Sequence, residues 1–327
     1  MAGAANGIGK RRPRTRTIDG MTDVIVVGGG VIGLTAAIRL QERGAGVTVW
    51  TADEPEQTVS SVAAAVWYPT HTDGEPRVLR WAADTYAEFR RQVDAGVPGT
   101  LLRRTRNLLR RRVTELPWWA PAVGQVDLRD GTGPYANELV FPAPVAEMGS
   151  YLRWLRDQVE HVERRTVRNL GDVPAEVVVN ATGLAAGRLC GDPAVQPARG
   201  HIVIVRNPGL DESLRDEDDP AGVTYVHPRA TDVVLGGSFD VGRADTGPDQ
   251  AEAAAIVERC TRLVPRLAGA KVLADRIGLR PVRHGGPRVE REETPAGRRI
   301  VHTYGHGGAG MTLSWGCADE VTRLALD

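Results

Sequence analysis

Two glycine-rich runs at opposite ends of the chain hold the residues best suited to chemistry: Gly28-Gly29-Gly30-Val31-Ile32-Gly33 and Tyr304-Gly305-His306-Gly307-Gly308-Ala309-Gly310. The first has the G-x-G-x-x-G spacing of a dinucleotide-binding turn. Gly28 permits the tight turn, Gly30 lets the backbone approach a pyrophosphate, and Gly33 lets helix and strand approach. The helix start at Val31 and Ile32 offers free N–H groups to phosphate. Asp53, twenty positions beyond Gly33, stands where a carboxylate accepts from a ribose hydroxyl. It also lies a few residues past a strand end, so a solvated loop carboxylate is nearly as good a reading. The second run, taken alone, is a tight turn before the last helix. Together the two runs imply one nucleotide cofactor gripped by distant parts of the chain.

The elements that must position these residues are legible in outline. Asp23 to Val27 is an apolar strand, Thr35 to Leu40 a helix of small and apolar residues, and Val47 to Trp50 the next strand. Residues 78 to 93 alternate apolar and charged positions at helical spacing. Leu101 to Arg112 carries six arginines, which reads as a solvated face laced with acidic neighbours rather than a polyanion site, because the chain is neutral overall. Trp118 and Trp119, beside Pro117 and Pro121, read as packing anchors. Met148 to Arg164 is a further amphipathic stretch. Val177 to Asn180 reads as a strand, and the small-residue turn Ala181 to Gly187 returns the chain to the nucleotide-binding sheet. His201 to Val205, Val223 to Val226 and Val233 to Leu235 are short β runs of an antiparallel sheet. Leu210 to Gly222 between them is an acidic, polar loop. Helices are expected from near Pro248 through Ala251 to Leu263 and from Thr312 to Leu326.

With 327 residues, 42% of them hydrophobic, the chain can bury a substantial core, and its length allows about two domains. Forty-one basic residues balance forty-one acidic ones, which gives no reason to expect nucleic acid or an anionic membrane as partner. No stretch reaches the ~18 apolar residues of a membrane span. The basic start, Lys10-Arg11-Arg12-Pro13-Arg14, lacks a following apolar segment, so residues 1 to 21 read as a disordered extension from a start placed too early, with Met21 directly before the first strand. Cys190, Cys260 and Cys317 are odd in number and widely spaced. They indicate neither a disulfide framework nor a metal site, and a reducing cytoplasm is the expected compartment. His302 and His306 have the i, i+4 spacing of a zinc helix, but Gly305 and Gly307 break any helix there, so no metal is expected. No Cys–His or G-x-S-x-G pairing points to nucleophilic catalysis.

Four blocks in order resemble the D-amino acid oxidase family of FAD enzymes: Val24 to Gly33; Ser60-Ser61-Val62-Ala63-Ala64-Ala65-Val66-Trp67; Gly278-Leu279-Arg280-Pro281-Val282-Arg283; and Tyr304 to Leu313 with Trp315-Gly316-Cys317. The resemblance covers nearly all of residues 22 to 325. It implies an α/β, Rossmann-like FAD-binding domain from residues 22–70, 140–200 and 285–327, carrying an antiparallel-sheet (α+β) substrate domain from 71–139 and 201–284. It also implies that Ser61, Ala64, Ala65 and Val66 lie near the flavin, that Val167 meets the adenine side, and that Thr182 and Gly183 close over the dinucleotide. Gly307, Gly308, Ala309, Gly310, Met311 and Thr312 would place a helix start against the pyrimidine end of the ring, where donors and a positive dipole stabilise an anionic reduced flavin.

In this family Arg280 is implied as the binder of a substrate α-carboxylate by a two-pronged, charge-assisted pair. Tyr225 adds a hydrogen bond to the same group, a backbone carbonyl near Gly308 accepts from the amino group, and Arg283 is a salt-bridge candidate. The implied reaction is hydride transfer from a D-amino acid to flavin N5, with dioxygen as acceptor, giving a 2-oxo acid, ammonia and hydrogen peroxide. Activity rises with pH as the substrate ammonium loses its proton. The protein would be a monomer or a homodimer. Many family members carry a second tyrosine four residues before Tyr225, where this chain has Ala221, which puts the substrate range in doubt. His227 and Arg229 could favour acidic side chains if the strand stays regular past Pro228. The alternatives are a D-aspartate-preferring oxidase, a related amine oxidase or dehydrogenase on the same fold, and a non-catalytic flavin-binding module. A nicotinamide-dependent dehydrogenase would leave the C-terminal glycine block without a role.

Overall fold

A computed structural model describes residues 22–69, 72, 74–294 and 297–327; the extension expected over residues 1 to 21 lies outside them. From its start the chain alternates strand and helix: β1 (Asp23–Val27), α1 (Val31–Glu42), β2 (Gly46–Thr51). A long helix, α2 (Pro76–Asp94), leads to β3 (Thr100–Leu109), the short α3 (Ala120–Val123) and the paired β4 (Asp127–Asp130) and β5 (Asn137–Ala146). There follow α4 (Met148–Asp157), β6 (His161–Arg164), β7 (Val177–Asn180) and α5 (Ala185–Leu189). Five strands come next: β8 (Val195–Arg206), β9 (Glu212–Asp216), β10 (Thr224–Pro228), β11 (Asp232–Gly236) and β12 (Asp240–Val241). The chain ends with α6 (Gln250–Leu263), β13 (Val272–Arg283), β14 (Arg288–Glu293), β15 (Arg299–Tyr304) and α7 (Gly310–Leu326).

The strands form two sheets. The first has the order β14-β15-β7-β1-β2-β6, parallel except for β14 at its edge. A parallel strand covered on both faces must be apolar on both. Val24 and Val26 of β1 accordingly join the core under α1, α2 and α7, while Ile25 and Val27 join a second cluster with Leu170, Val173, Val178 and Ile300 on the other side. The second sheet has the order β12-β8-β11-β10-β9-β3-β5-β4, with β13 also paired to β8. It is antiparallel except between β3 and β9. Its strands alternate by face. Val203 and Val205 of β8 pack with Ile256 and Cys260 of α6, whereas Ile202 packs with Tyr225, Val234 and Ala64 on the face turned to the first sheet.

Several sequence expectations shift. The chain changes sheets before β8, which begins at Val195, and both β8 and β5 belong wholly to the second sheet, so the boundaries at 140 and 200 fall within strands. The acidic loop contains β9, because Ser213 and Asp216 are buried where that strand runs between β3 and β10. The amphipathic stretch from Met148 splits: α4 ends before Gln158, and β6 pairs with β2. The arginine-rich run is mostly β3, its charges met by Arg104–Glu212 at 3.2 Å, Arg110–Asp216 at 2.8 Å and Arg112–Asp130 at 3.4 Å. Trp119 is buried against Trp67 and Phe141. Among the described residues no helix is long and apolar enough to cross a membrane.

Candidate active site

A cavity of about 490 Å³ runs between the two sheets, from the glycine turn after β1 to the face of β8, β10 and β13. That volume is in the range of cofactor and ligand sites. Gly28, Gly30, Val31, Ile32, Asp53, Ala64, Ala65, Val66, Val167, Thr182, Gly183, Tyr225, Arg280, Gly307, Gly308, Gly310 and Met311 all line it. Sequence separations of up to 283 positions, from Gly28 to Met311, are thus brought to one space.

At the β1 end the backbone is packed to the limit of its glycines. A Cβ at Gly28, where φ is +125°, would sit 2.2 Å from the Ala181 carbonyl oxygen, and one at Gly33 would sit 1.9 Å from the Gly28 carbonyl oxygen. Gly33 therefore serves the helix–strand approach and does not face the cavity. Helix α1 has no side-chain cap at Gly30 and no acidic residue in its first turn; the Val31 N–H donates to Ser60 Oγ at 3.0 Å. Helix α7 is likewise uncapped at Ala309 and free of acid in its first turn. Two helix N-termini, each with unsatisfied N–H groups and a partial positive charge, thus open onto one cavity. This is a cradle for an extended molecule with negative charge at two places, which the residues of a dinucleotide site fit.

The segment between the helices is set by tertiary hydrogen bonds. Ala65 stands at φ +56°, a conformation that costs an L-residue about 1–2 kcal/mol. It is held there because its carbonyl accepts from Ala146 N–H at 2.8 Å while Trp67 N–H donates to the Pro144 carbonyl at 2.8 Å. Ser61 is turned away, its hydroxyl donating to the Glu56 and Thr58 carbonyls within a 3-10 turn, and Ser60 takes the cavity position instead. Ala309 is fully buried in the core. The Thr312 hydroxyl clasps the backbone of Tyr68, accepting from its N–H at 3.1 Å and donating to its carbonyl at 3.0 Å. These three are supports rather than cavity walls. Asp53 is exposed at the rim.

On the sheet of β8 and β13, Arg280 donates to the Ser238 carbonyl at 2.9 Å and to the Tyr225 hydroxyl. Among the described residues it makes no ion pair, so its charge faces the cavity unmatched. Arg283, by contrast, is paired with Asp192 at 2.8 Å. Two bare positions make room for the ligating side chains. A Cβ on Gly200 would lie 1.8 Å from Arg280 Nη1, and a Cβ on Gly236, the cross-strand partner of Tyr225, would lie 2.0 Å from the Tyr225 ring. Burial pushes the Tyr225 phenol up, against the pull of Arg280 and Arg215, so it remains a protonated donor.

Two residues not singled out from the sequence, Arg215 and Tyr68, share this space. Arg215 of β9 lies opposite Tyr225 across the ladder, with its guanidinium 5.4 Å from the Tyr225 ring and 4.7 Å from that of Tyr68. Glu217 answers its charge at 2.6 Å. Tyr68, whose hydroxyl accepts from Asn107 at 2.6 Å, is raised by burial and by Glu217. His227 stacks on Tyr225 at 4.8 Å and is pushed down to about 3 by burial and by the Arg215 charge. His306 is pushed down by burial to about 4, and its Nε2 has no hydrogen-bond partner. Both histidines are neutral walls. Arg229 leaves the face altogether, because the strand ends at Pro228 and the guanidinium pairs with Asp232 at 2.5 Å. Cys190 and His302 meet at 3.8 Å, a pairing the sequence could not show, but burial raises the thiol and Asn180 donates to it. That is an inert arrangement. Interleaved strands hide such neighbours from any local motif; the only sequence signal for Tyr68 was its place beside Trp67 in the second block.

Comparison with known proteins agrees with this geometry. A family model described as FAD dependent oxidoreductase matches residues 23–324. The chain is 48% identical to a D-amino-acid oxidase of Rubrobacter xylanophilus over 92% of this chain and 95% of that one. It is 42% identical to a D-amino-acid oxidase of Streptomyces coelicolor over 93% and 96% respectively. A crystal structure of glycine oxidase from Bacillus cereus superposes with a TM-score of 0.76 at 19% identity, covering 93% of this chain and 94% of that one, a likeness of fold.

Proposed function

This chain belongs to the FAD dependent oxidoreductase family, and from that premise we propose that it oxidises D-amino acids to imino acids, which hydrolyse to 2-oxo acids and ammonia. FAD is its cofactor, and when bound it supplies a two-electron acceptor at flavin N5 for the hydride on the substrate α-carbon. One observation carries the reading: Arg280 faces the cavity without a carboxylate partner, beside a buried phenol, on an otherwise largely apolar wall. An arginine so placed calls for an anion, and a planar carboxylate matches its fork.

In this reading Arg280 and Tyr225 hold the α-carboxylate, and the backbone carbonyl of Gly308 accepts from the amino group. Orientation between these anchors does most of the protein's work. Gly28, Gly30, Val31 and Ile32 receive the pyrophosphate, with Asp53 at the ribose and Val167, Thr182 and Gly183 at the adenosine end. Ala64, Ala65, Val66, Gly307, Gly310 and Met311 border the ring, while Gly33, Ser61, Ala309 and Thr312 support them. His227 and His306, neutral by burial, are poor bases, so the substrate ammonium loses its proton to solvent and kcat/KM rises with pH. Dioxygen as the terminal acceptor, hydrogen peroxide as its product, and monomer or homodimer as the assembly complete the proposal. Three free cysteines accord with a reducing cytoplasm.

The test is anaerobic addition of D-alanine, D-methionine and D-aspartate, beside their L forms, to the yellow holoenzyme. D forms bleach the flavin and L forms leave it oxidised; a flavin that no D-amino acid bleaches sinks the reading. Arg280→Ala keeps FAD and loses about 10²–10³ in kcat/KM, the scale of a truncated charge pair.

A second reading, preference for acidic side chains, is favoured by Arg215 on the cavity wall. Glu217 already occupies that guanidinium, and an acidic substrate must compete with it. Glu217→Gln therefore raises the ratio of kcat/KM for D-aspartate over D-alanine, by about tenfold for one removed like charge. An unchanged ratio removes Arg215 from substrate selection.

A further inference from the structure

Behind the substrate face lies a cluster of charges that the site itself does not use. Arg199 and His201 of β8 are fully buried and point toward α6, because the alternate residues Gly200 and Ile202 face the cavity. Glu252, in the first turn of α6, accepts from both: from Arg199 Nη1, and from His201 Nδ1 at 2.9 Å. Asp275 of β13 pairs with His201 Nε2, and Asp245 lies 3.4 Å from Arg199 Nε. Buried charges are costly unless each is paired and hydrogen-bonded. The way from this cluster to the cavity is Ser238. Its hydroxyl accepts from the His201 N–H at 3.2 Å and donates to Glu252, and its carbonyl accepts from Arg280 at 2.9 Å. The preceding Gly237 lies under the Tyr225 hydroxyl, 2.8 Å from where a Cβ would be. One short segment is thus gripped from behind by charges and grips both carboxylate-binding side chains in front.

We propose that Glu252, with Arg199, His201 and Asp275, forms a positioning cluster that fixes the Arg280 guanidinium through Ser238, and so sets how strongly the site prefers a carboxylate to a neutral amide. The inference rests on the reading of Arg280 as the carboxylate binder. A two-pronged pair depends on the direction of both N–H bonds, so a guanidinium freed to tilt keeps its charge and loses its selectivity. None of Arg199, His201, Glu252 and Asp275 lines the cavity, so they act through Ser238.

The experiment compares parent, Ser238→Ala, Glu252→Gln and Arg280→Lys holoenzymes of equal flavin content. It reads the kcat/KM ratio of D-alanine over D-alaninamide and the Kd of pyruvate by calorimetry. Ser238→Ala deletes the hydroxyl link and leaves the carbonyl, so it reports even if Glu252→Gln fails to fold. The expected result is a fall of about tenfold in the acid-over-amide ratio for Ser238→Ala and Glu252→Gln, carried mainly by KM for D-alanine, with a matching rise in the pyruvate Kd. A ratio lost in Arg280→Lys but kept within twofold in both other variants overturns the positioning role alone. A ratio kept in Arg280→Lys overturns the reading of Arg280 and this inference with it.

Discussion

At the scale of single residues, the site depends on side chains that are missing as much as on those present. Arg280 and Tyr225 lie flat on the sheet because Gly200 and Gly236 beneath them have no Cβ. At Gly200 the atoms in the way are the far end of an arginine, so a methyl group there tilts the guanidinium without breaking the sheet. Gly200→Ala is therefore expected to fold, to keep FAD, and to raise KM for D-alanine about tenfold, the loss of one well-formed charged hydrogen bond. Steady-state kinetics beside a flavin absorbance spectrum check this; an unchanged KM would mean that the guanidinium has no fixed position. Arg280 was legible from its block, because a motif keeps its own neighbours. The glycine seats were not: Gly200 under Arg280 lies in β8, 80 positions away, and Gly236 under Tyr225 belongs to the next strand, β11.

At the scale of elements, α1 and α7 act as a pair, uncapped at the ends that open on the cavity and locked along their lengths. Thr35 of α1 donates to the Ser314 carbonyl of α7 at 3.3 Å, and Arg39 pairs with Asp319 at 2.9 Å. On its other side α7 approaches α2 through Gly316, where a Cβ would sit 2.4 Å from the Trp81 backbone. Backbone cannot swing aside as a side chain does, so the helices must separate. Gly316→Ala is expected to destabilise the fold by about 1–3 kcal/mol, the scale of overpacking, and to loosen FAD because the end of α7 that opens on the cavity begins six residues earlier at Gly310. Thermal unfolding and the flavin retained after dialysis read the two effects; a parent-like Tm rules out the close packing. The amphipathic α2 and the strand–turn–helix at Gly28 were legible, since their periodicity is local. The strand β9 was not, because its buried Ser213 and Asp216 look polar until β3 and β10 enclose them.

At the scale of the whole molecule, burying neutral histidines makes stability depend on pH. His227 and His306 are held down to about 3 and about 4 by burial, whereas an unfolded histidine titrates near 6.5. Below that pH the unfolded chain takes up protons that the native state refuses, so stability falls as pH falls toward 4, with a slope approaching two protons. Glu252 has linkage of the same sign in a lower pH window. Burial would raise its carboxyl, but hydrogen bonds from His201, Arg199 and Ser238 hold it down to about 2, so its contribution, complete above about 4.5, is lost only between there and about 2. Urea midpoints from pH 8 to 5 should therefore decline, and His306→Asn should remove about one proton of that slope; an equal slope in the variant would mean His306 is charged in the native state. By itself the sequence determined the strand, glycine turn and helix at Gly28, the apolar strands and the amphipathic helices, because each is written in spacings that a short backbone segment enforces. Tertiary structure alone decided that Ser60 and not Ser61 meets α1, that Arg215 is answered by Glu217 while Arg280 is not, and that Arg229 turns away as His227 stays. Those outcomes depend on which strands lie side by side and on what charge or carbonyl each pairing brings within about 3 Å, the reach of a hydrogen bond.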